Sequence, residues 1–244
     1  MLLAVTADSY RHPVHVTHGS AEPVIETWAE VDALALLRHL DLLERSEPAV
    51  LAINGRSGAG KSTLARRLAT VVPGAVCVAT DDIAWHYSMF DWSAEIITQV
   101  IEPVRRGEPV HYRPPGWVLK DRPGAVTIEA DRCLLIVEGV GSSQHGLTDA
   151  IDAAIWVQSD ARVARELGIE RDVASGENGN RAESIAFWDE WAAAEQPFLE
   201  HDAPWSRADA IVAGVPLVDS IRIGGTPAEA SLLNLQLSSS TISR

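Results

Sequence analysis

Apolar positions along this chain fall into short continuous runs, and the stretches between them carry apolar residues at helical spacing. That alternation is the pattern of a parallel α/β fold. Runs of strand length occur at Ala49 to Ile53, Ala75 to Ala79, Arg132 to Val137, Ala153 to Val157 and Ala208 to Ala213. Between them, Leu64, Leu68, Val71 and Val72 form one helical face that Pro73-Gly74 ends, and a helix around Ala94 to Arg106 stops at Gly107. Ser159 reads as the cap of a helix carrying Arg162, Arg165 and Arg171 and ending near Gly176. Ile185, Trp188 and Trp191 mark another helix, with Pro197 near its end. Ahead of the first run, Thr27 and Glu30 have capping-box spacing, so Val31, Leu34, Leu37 and Leu42 are expected on a helix that stops before Pro48.

The ends of the chain are less regular. Residues 1–26 show no period, and His12, His15 and His18 read as part of a strand or loop rather than a zinc site, since valines separate them and no cysteine is near. The stretch 224–244 is Ser-rich and is expected to be a flexible tail, although Leu233, Leu235 and Leu237 alternate as in a strand. The expected organisation is therefore an N-terminal extension and packing helix (1–48), one α/β domain (49–223) with a small lid near 160–183, and the tail.

With 244 residues and 46% hydrophobic content the chain can bury a sizeable core. A formal net charge of −14 disfavours nucleic acid or an anionic membrane as partner. Cys77 and Cys133 sit at or near apolar runs and read as buried, reduced thiols. The N-terminus has no basic segment before a long apolar run, and no stretch approaches a membrane span. A cytoplasmic protein acting on a small molecule is expected, with a homo-oligomer left open.

The strongest chemical signal follows the first strand: Gly55-Arg56-Ser57-Gly58-Ala59-Gly60-Lys61-Ser62-Thr63, the Gly-x-x-x-x-Gly-Lys-Ser/Thr pattern of a P-loop in its strand–loop–helix context. Phosphate oxygens must come close to successive backbone N–H groups, and side chains would block them, hence Gly55, Gly58 and Gly60. The start of the following helix adds unpaired N–H groups and its positive dipole end. Lys61 reaches β- and γ-phosphates, and Ser62 offers a hydroxyl to Mg²⁺.

Other candidates lie at later strand ends, where open α/β sheets collect ligands. Thr80-Asp81-Asp82 follows the second run and offers carboxylates for activating a hydroxyl. Glu138 ends the Arg132 to Val137 strand and is placed to orient a metal ion. Trp85, His86, Tyr87, Phe90, Trp92, Tyr112 and Trp117 could sandwich a ring-shaped substrate or form the core of a small lid. Ser175 to Arg181 reads as a mobile hinge beside arginines able to close over a transferred phosphoryl group. Gly214-Val215-Pro216 reads as a turn where an adenine could rest. No Asn-Lys-x-Asp guanine signature occurs and no Asp-Glu pair ends the Glu138 strand, which argues against GTPase switches and motors.

Together with Phe90-Asp91, Pro109-Val110-His111-Tyr112, Glu170-Arg171-Asp172 and Arg207-Ala208-Asp209, these motifs resemble, in order and approximate spacing, those of uridine kinases. These belong to the phosphoribulokinase and uridine kinase superfamily, and the likeness spans about residues 49–215. The resemblance implies a P-loop NTPase fold with five parallel strands in nucleoside-monophosphate-kinase-like order between helices, and ATP with Mg²⁺ as phosphoryl donor. It implies Asp81 as general base, Asp91 on sugar hydroxyls, Tyr112 beside the base, and Arg165 and Arg171 as lid arginines. Asp82, Trp85 and Arg113 join them as substrate-side candidates; residues 55 and 57–63 hold the nucleotide, and Ser62 and Glu138 the metal. The chain departs from the family at Arg113-Pro114-Pro115-Gly116-Trp117, where uridine kinases carry an acid, and at Trp92-Ser93. The reading is a kinase for a nucleoside hydroxyl, with a sugar, sugar phosphate or pantothenate-like alcohol as alternative acceptor. A nucleotide-binding regulatory protein is the reading from another class.

Overall fold

The structure, a computed structural model, describes residues 22–25, 27–176, 178–214 and 221–225. The histidines at 12, 15 and 18, the 233–237 alternation and positions 215 and 216 of the proposed adenine turn lie outside the described residues.

Five parallel strands form the centre of the sheet: β2 (Ala49–Gly55), β3 (Ala75–Ala79), β6 (Leu134–Glu138), β7 (Ala153–Gln158) and β8 (Ala210–Ala213). Their spatial order, β3-β6-β2-β7-β8, puts the P-loop strand in the middle. The sheet has seven strands rather than five. β9 (Ile221–Gly225) pairs antiparallel with β8, and β1 (Thr27–Val31) pairs antiparallel with β9. The expected domain boundary at 223 thus falls inside a strand, and the N-terminal extension supplies an edge strand.

That edge corrects one expectation. Thr27 and Glu30, whose spacing imitates a capping box, lie in β1, and the helix begins only at α1 (Ala33–His39). Its cap is Asp32, whose carboxylate accepts from the Ala35 N–H at 2.7 Å. Pairing with β9 outweighs the local capping signal, because local propensity yields to tertiary context.

Period-two alternation divides the central strands between two cores. Leu51 and Ile53 of β2, with Leu134 and Ile136 of β6, face α1 and α2 (Lys61–Thr70). Val50, Leu135 and Val137 face a long helical segment on the other side. That segment runs through α4 (Ser93–Ile96), a π-helical turn (Ile97–Ile101) and α5 (Glu102–Arg105) without a break. Pro103 lacks an N–H and its ring crowds the preceding turn, which accounts for the widened turn just before it. A hairpin of β4 (Val110–Tyr112) and β5 (Val126–Ile128) lies beyond it, with α6 (Pro115–Leu119) between its strands.

β3 is the outer strand on its side of the sheet, so it is only partly covered. Cys77 and Cys133 are exposed free thiols, contrary to the buried placement their apolar neighbours suggest. α7 (Ala161–Ser175) and α8 (Arg181–Asp202) form a helical hairpin over the carboxyl end of the sheet. The α7 cap is Asp160, accepting from Val163 N–H, not Ser159, and Asn180 with Glu183 makes a capping box at the start of α8. Pro197 lies inside α8, which continues to Asp202.

Asp32→Ala removes the α1 cap and is expected to cost about 1 kcal/mol, read as a lower urea midpoint with unchanged slope.

Candidate active site

The P-loop leaves β2 at Gly55 and enters α2 at Gly60, which takes a left-handed conformation (φ 99°) as the helix cap. Asn54, fully buried at the end of β2, accepts from the N–H groups of Gly55 (2.8 Å) and Gly141 (3.1 Å) and donates to Ser143 Oγ (2.9 Å). One side chain thus ties the start of the loop to the turn after β6. Ser159 Oγ donates to the Ala59 carbonyl at 2.9 Å, which anchors the middle of the loop. Gly58 (φ 75°) lies so close to the Ala164 carbonyl of α7 that a side chain would run into it.

Lys61 is 8% exposed, and its Nζ donates to the Arg56 carbonyl at 2.9 Å. Burial pulls its pKa down, while Glu195, Glu138 and Asp81 pull it back up and Arg171 adds to the lowering. The Glu138 carboxyl sits above its ordinary range, mainly because it is buried, and despite the opposing influence of Lys61 and a hydrogen bond with the Ser62 side chain. Asp81, in the first turn of α3 (Thr80–Ala84), acts electrostatically on both Lys61 and Glu138. Gly139 (φ 142°) allows this convergence, since any side chain there would collide with Thr80.

Asp82 faces elsewhere. Its carboxylate accepts from Arg122 at 3.1 Å, and its carbonyl accepts from Trp117 Nε1 at 2.8 Å. Of the adjacent acids, Asp81 is the one coupled to the loop lysine. Around Asp82, the Arg122 guanidinium lies 3.7 Å from the Trp117 ring centre and 5.1 Å from that of Trp85, a cation–π arrangement, and Arg113 donates to the Arg122 carbonyl.

The aromatic cluster divides. Trp92 and Trp117 are core residues, whereas Trp85 and Tyr87 are exposed. Tyr112 donates to Glu95 at 2.8 Å, and burial together with that bond raises its pKa, so the hydroxyl stays protonated. Asp91 is exposed, and its N–H donates to Ser88 Oγ. The two expected lid arginines differ. Arg165 is paired with Asp189 of α8 at 2.6 Å, whereas Arg171 lies on the buried Asp172 and within electrostatic reach of Lys61. Asp172 also accepts from Trp188 Nε1 and Asn178, which fastens α7 to α8.

Sequence reasoning missed Glu195. It is 6% exposed on α8, and one of its oxygens accepts from both the N–H (2.8 Å) and the Oγ (2.9 Å) of Ser57 in the P-loop. Trp191 Nε1 donates to the same Ser57 Oγ at 2.6 Å. Trp191, Glu195 and Phe198 share a helix face by their i, i+4, i+7 spacing, and an acid within such a face was the available signal. Among the described residues no group of three His, Cys, Asp or Glu side chains is poised to hold a metal ion. No helix among them is long and apolar enough to cross a membrane.

The chain has the fold of the P-loop kinases. A candidate fructose transport system kinase from Silicibacter sp. TM1040 superposes with a TM-score of 0.52 at 19% identity, covering 70% of this chain and 92% of that one. A possible uridine kinase from Bacillus stearothermophilus covers 72% of this chain and 98% of its own, with a TM-score of 0.44 at 16% identity. No family model and no curated protein matches the sequence.

A carboxyl whose folded pKa is raised favours the folded state most below its unfolded pKa, and that contribution is lost as pH rises through the folded pKa. Glu138→Gln removes this loss. The melting temperature of the variant relative to the parent is therefore expected to increase as pH rises above the ordinary glutamate range, in a paired thermal-denaturation series.

Proposed function

We propose that the protein is an ATP-dependent kinase that phosphorylates a hydroxyl of a small metabolite, a nucleoside being the acceptor best supported by the motif resemblance. The observation that carries this reading is the convergence of Asp81 and Glu138 on the buried Lys61, with Ser62 hydrogen-bonded to Glu138. Donor-side and acceptor-side chemistry thereby meet at the carboxyl end of adjacent strands.

The residues fit an anionic phosphate chain. The Ser57 N–H of the loop already donates to a carboxylate oxygen, and Lys61 is held beside it. In this reading Lys61 and the loop amides hold the β- and γ-phosphates, with Ser57, Gly58, Ala59, Gly60, Ser62 and Thr63 around them. Ser62 and Glu138 are paired and would hold Mg²⁺, which when bound neutralises charge on the phosphate oxygens.

Asp81 accepts the proton of the acceptor hydroxyl as its oxygen bonds to the γ-phosphorus and the bond to the ADP oxygen breaks. Arg171 offsets the charge that accumulates, and Arg165 does so only after leaving Asp189. Positioning and electrostatics supply most of the rate in such transfers, and the rigid mounting of these groups suits that demand.

On the acceptor side, Asp91 and Tyr112 are assigned to substrate, with Trp85 and the Arg113–Arg122 pair at the rim. Arg113, which stands where uridine kinases carry an acid, favours a second reading of the acceptor, in which it carries an anionic group, as a sugar phosphate does. The name of the Silicibacter neighbour suggests a sugar, within the same reaction class.

An ATP-consumption screen over nucleosides, sugars, sugar phosphates and vitamins tests this reading. Lys61→Ala is expected to lower kcat about a hundredfold or more while the chain stays folded by circular dichroism, and near-parental turnover would overturn the assignment. Asp81→Asn should lower kcat by about a hundredfold or more, whereas Asp82→Asn should act mainly on KM; the reverse pattern would exchange their roles.

A further inference from the structure

Ser57 directs its N–H and its hydroxyl at a single oxygen, and that oxygen belongs to Glu195, 138 residues away in the chain. The loop N–H groups leading into a ten-residue helix form an anion seat. Here the chain's own carboxylate fills part of that seat, almost fully buried and next to the loop lysine. Trp191, one turn earlier on α8, closes the contact by donating to Ser57 Oγ at 2.6 Å and to the same Glu195 oxygen at 3.3 Å. A phosphate oxygen directed at Ser57 would need the same donors and would meet a like charge at close range, so the two anions exclude each other.

We propose that Glu195 is a positioning residue that makes the site distinguish nucleotides by phosphate number. It sits on Ser57 beside Lys61 when no terminal phosphate is present, gives up that seat when one arrives, and returns once the phosphoryl group has gone. Binding of a triphosphate, whose terminal phosphate reaches Ser57, then works against the Glu195 contact, whereas a diphosphate, whose β-phosphate is taken by the amides from Gly58 onward and by Lys61, leaves the Ser57 contact in place. Departure of Glu195 also moves Trp191, whose ring centre lies 6.0 Å from that of Phe90, and Phe90 stacks on Phe198 of the same helix face at 3.8 Å. Phe90 precedes Asp91, so the arrival of the donor is transmitted to the acceptor side.

The proposal rests on the reading of the P-loop as a nucleotide site, and its test separates the two. The full chain, its Glu195→Gln variant and its Trp191→Phe variant are titrated by calorimetry with Mg²⁺ and either a non-hydrolysable ATP analogue or ADP. Gln keeps an acceptor for Ser57 but loses the charge. Glu195→Gln is expected to tighten triphosphate binding about tenfold or more and to leave ADP within about threefold. A merely structural role would move both affinities alike. Trp191→Phe, which removes a donor from the same contact, should shift the ratio in the same direction by a smaller factor, and it serves if the Gln variant does not fold. In the parent chain, tryptophan emission should change with the triphosphate and not with ADP, and the change should vanish in Trp191→Phe. An unchanged ratio of triphosphate to diphosphate affinity, or weaker triphosphate binding in Glu195→Gln, overturns the role of Glu195 alone. Binding of neither nucleotide by any of the three proteins overturns the nucleotide reading and this proposal with it.

Discussion

A buried ammonium must find compensating charge or lose its proton, and this requirement organises the centre of the molecule. Lys61 finds a carbonyl in its own loop, a carboxylate at the end of β6, another in the first turn of α3 and a third from α8. No local sequence feature brings these together; sheet register gathers the first three, and the packing of α8 adds the last. Ile53 and Ala79 both stand opposite Glu138, so β2, β6 and β3 end at one level. Asp81 follows two residues after Ala79, and the loop begins two residues after Ile53. Each pairing therefore delivers one polar group to the same small volume.

The loop is also held from outside. Asn54 ties it to the turn after β6, Ser159 to the start of the α7 hairpin, and the tight approach of Gly58 to Ala164 presses it against α7 itself. Gly168 leaves room for the Trp188 ring, and the indole N–H is satisfied by the buried Asp172. The α7–α8 hairpin is thus a packed wall of the site. Helices packed in this way shift by sliding, so that small displacements move the side chains they carry by small, defined amounts.

The parts legible in the sequence are those whose meaning is local. β2, the glycine loop and α2 are contiguous, and the apolar runs of β6 and β7 read as buried strands because both their faces are covered. The site was partly legible for the same reason, since Lys61, Ser62, Asp81 and Glu138 each sit at a fixed offset from a strand end. What escaped depended on distant partners. β1 carries a capping-box spacing that only pairing with β9 overrules. Trp92 and Trp117 look the same in sequence as Trp85, and only the packing of α4 and α6 separates core from surface. Cys77 lies in an apolar run, yet its strand is the outer one. Glu195 is one acid among several on a long helix, and its contact with Ser57 spans more than half the chain.

The antiparallel pair β1 and β9 gives the domain an unusual closure. The first and the last described strands are hydrogen-bonded neighbours along five residue pairs, Thr27 with Gly225 through Val31 with Ile221. The path of the backbone is therefore nearly a ring, shut by one short ladder. The two strands protect each other: peeling either one away strips its partner of hydrogen bonds, and loss of β9 lays bare the flank of β8, beyond which the sheet continues into β7 and the loop-bearing β2. Events at the first and the last described strand are in this sense a single event, felt three strands from Lys61.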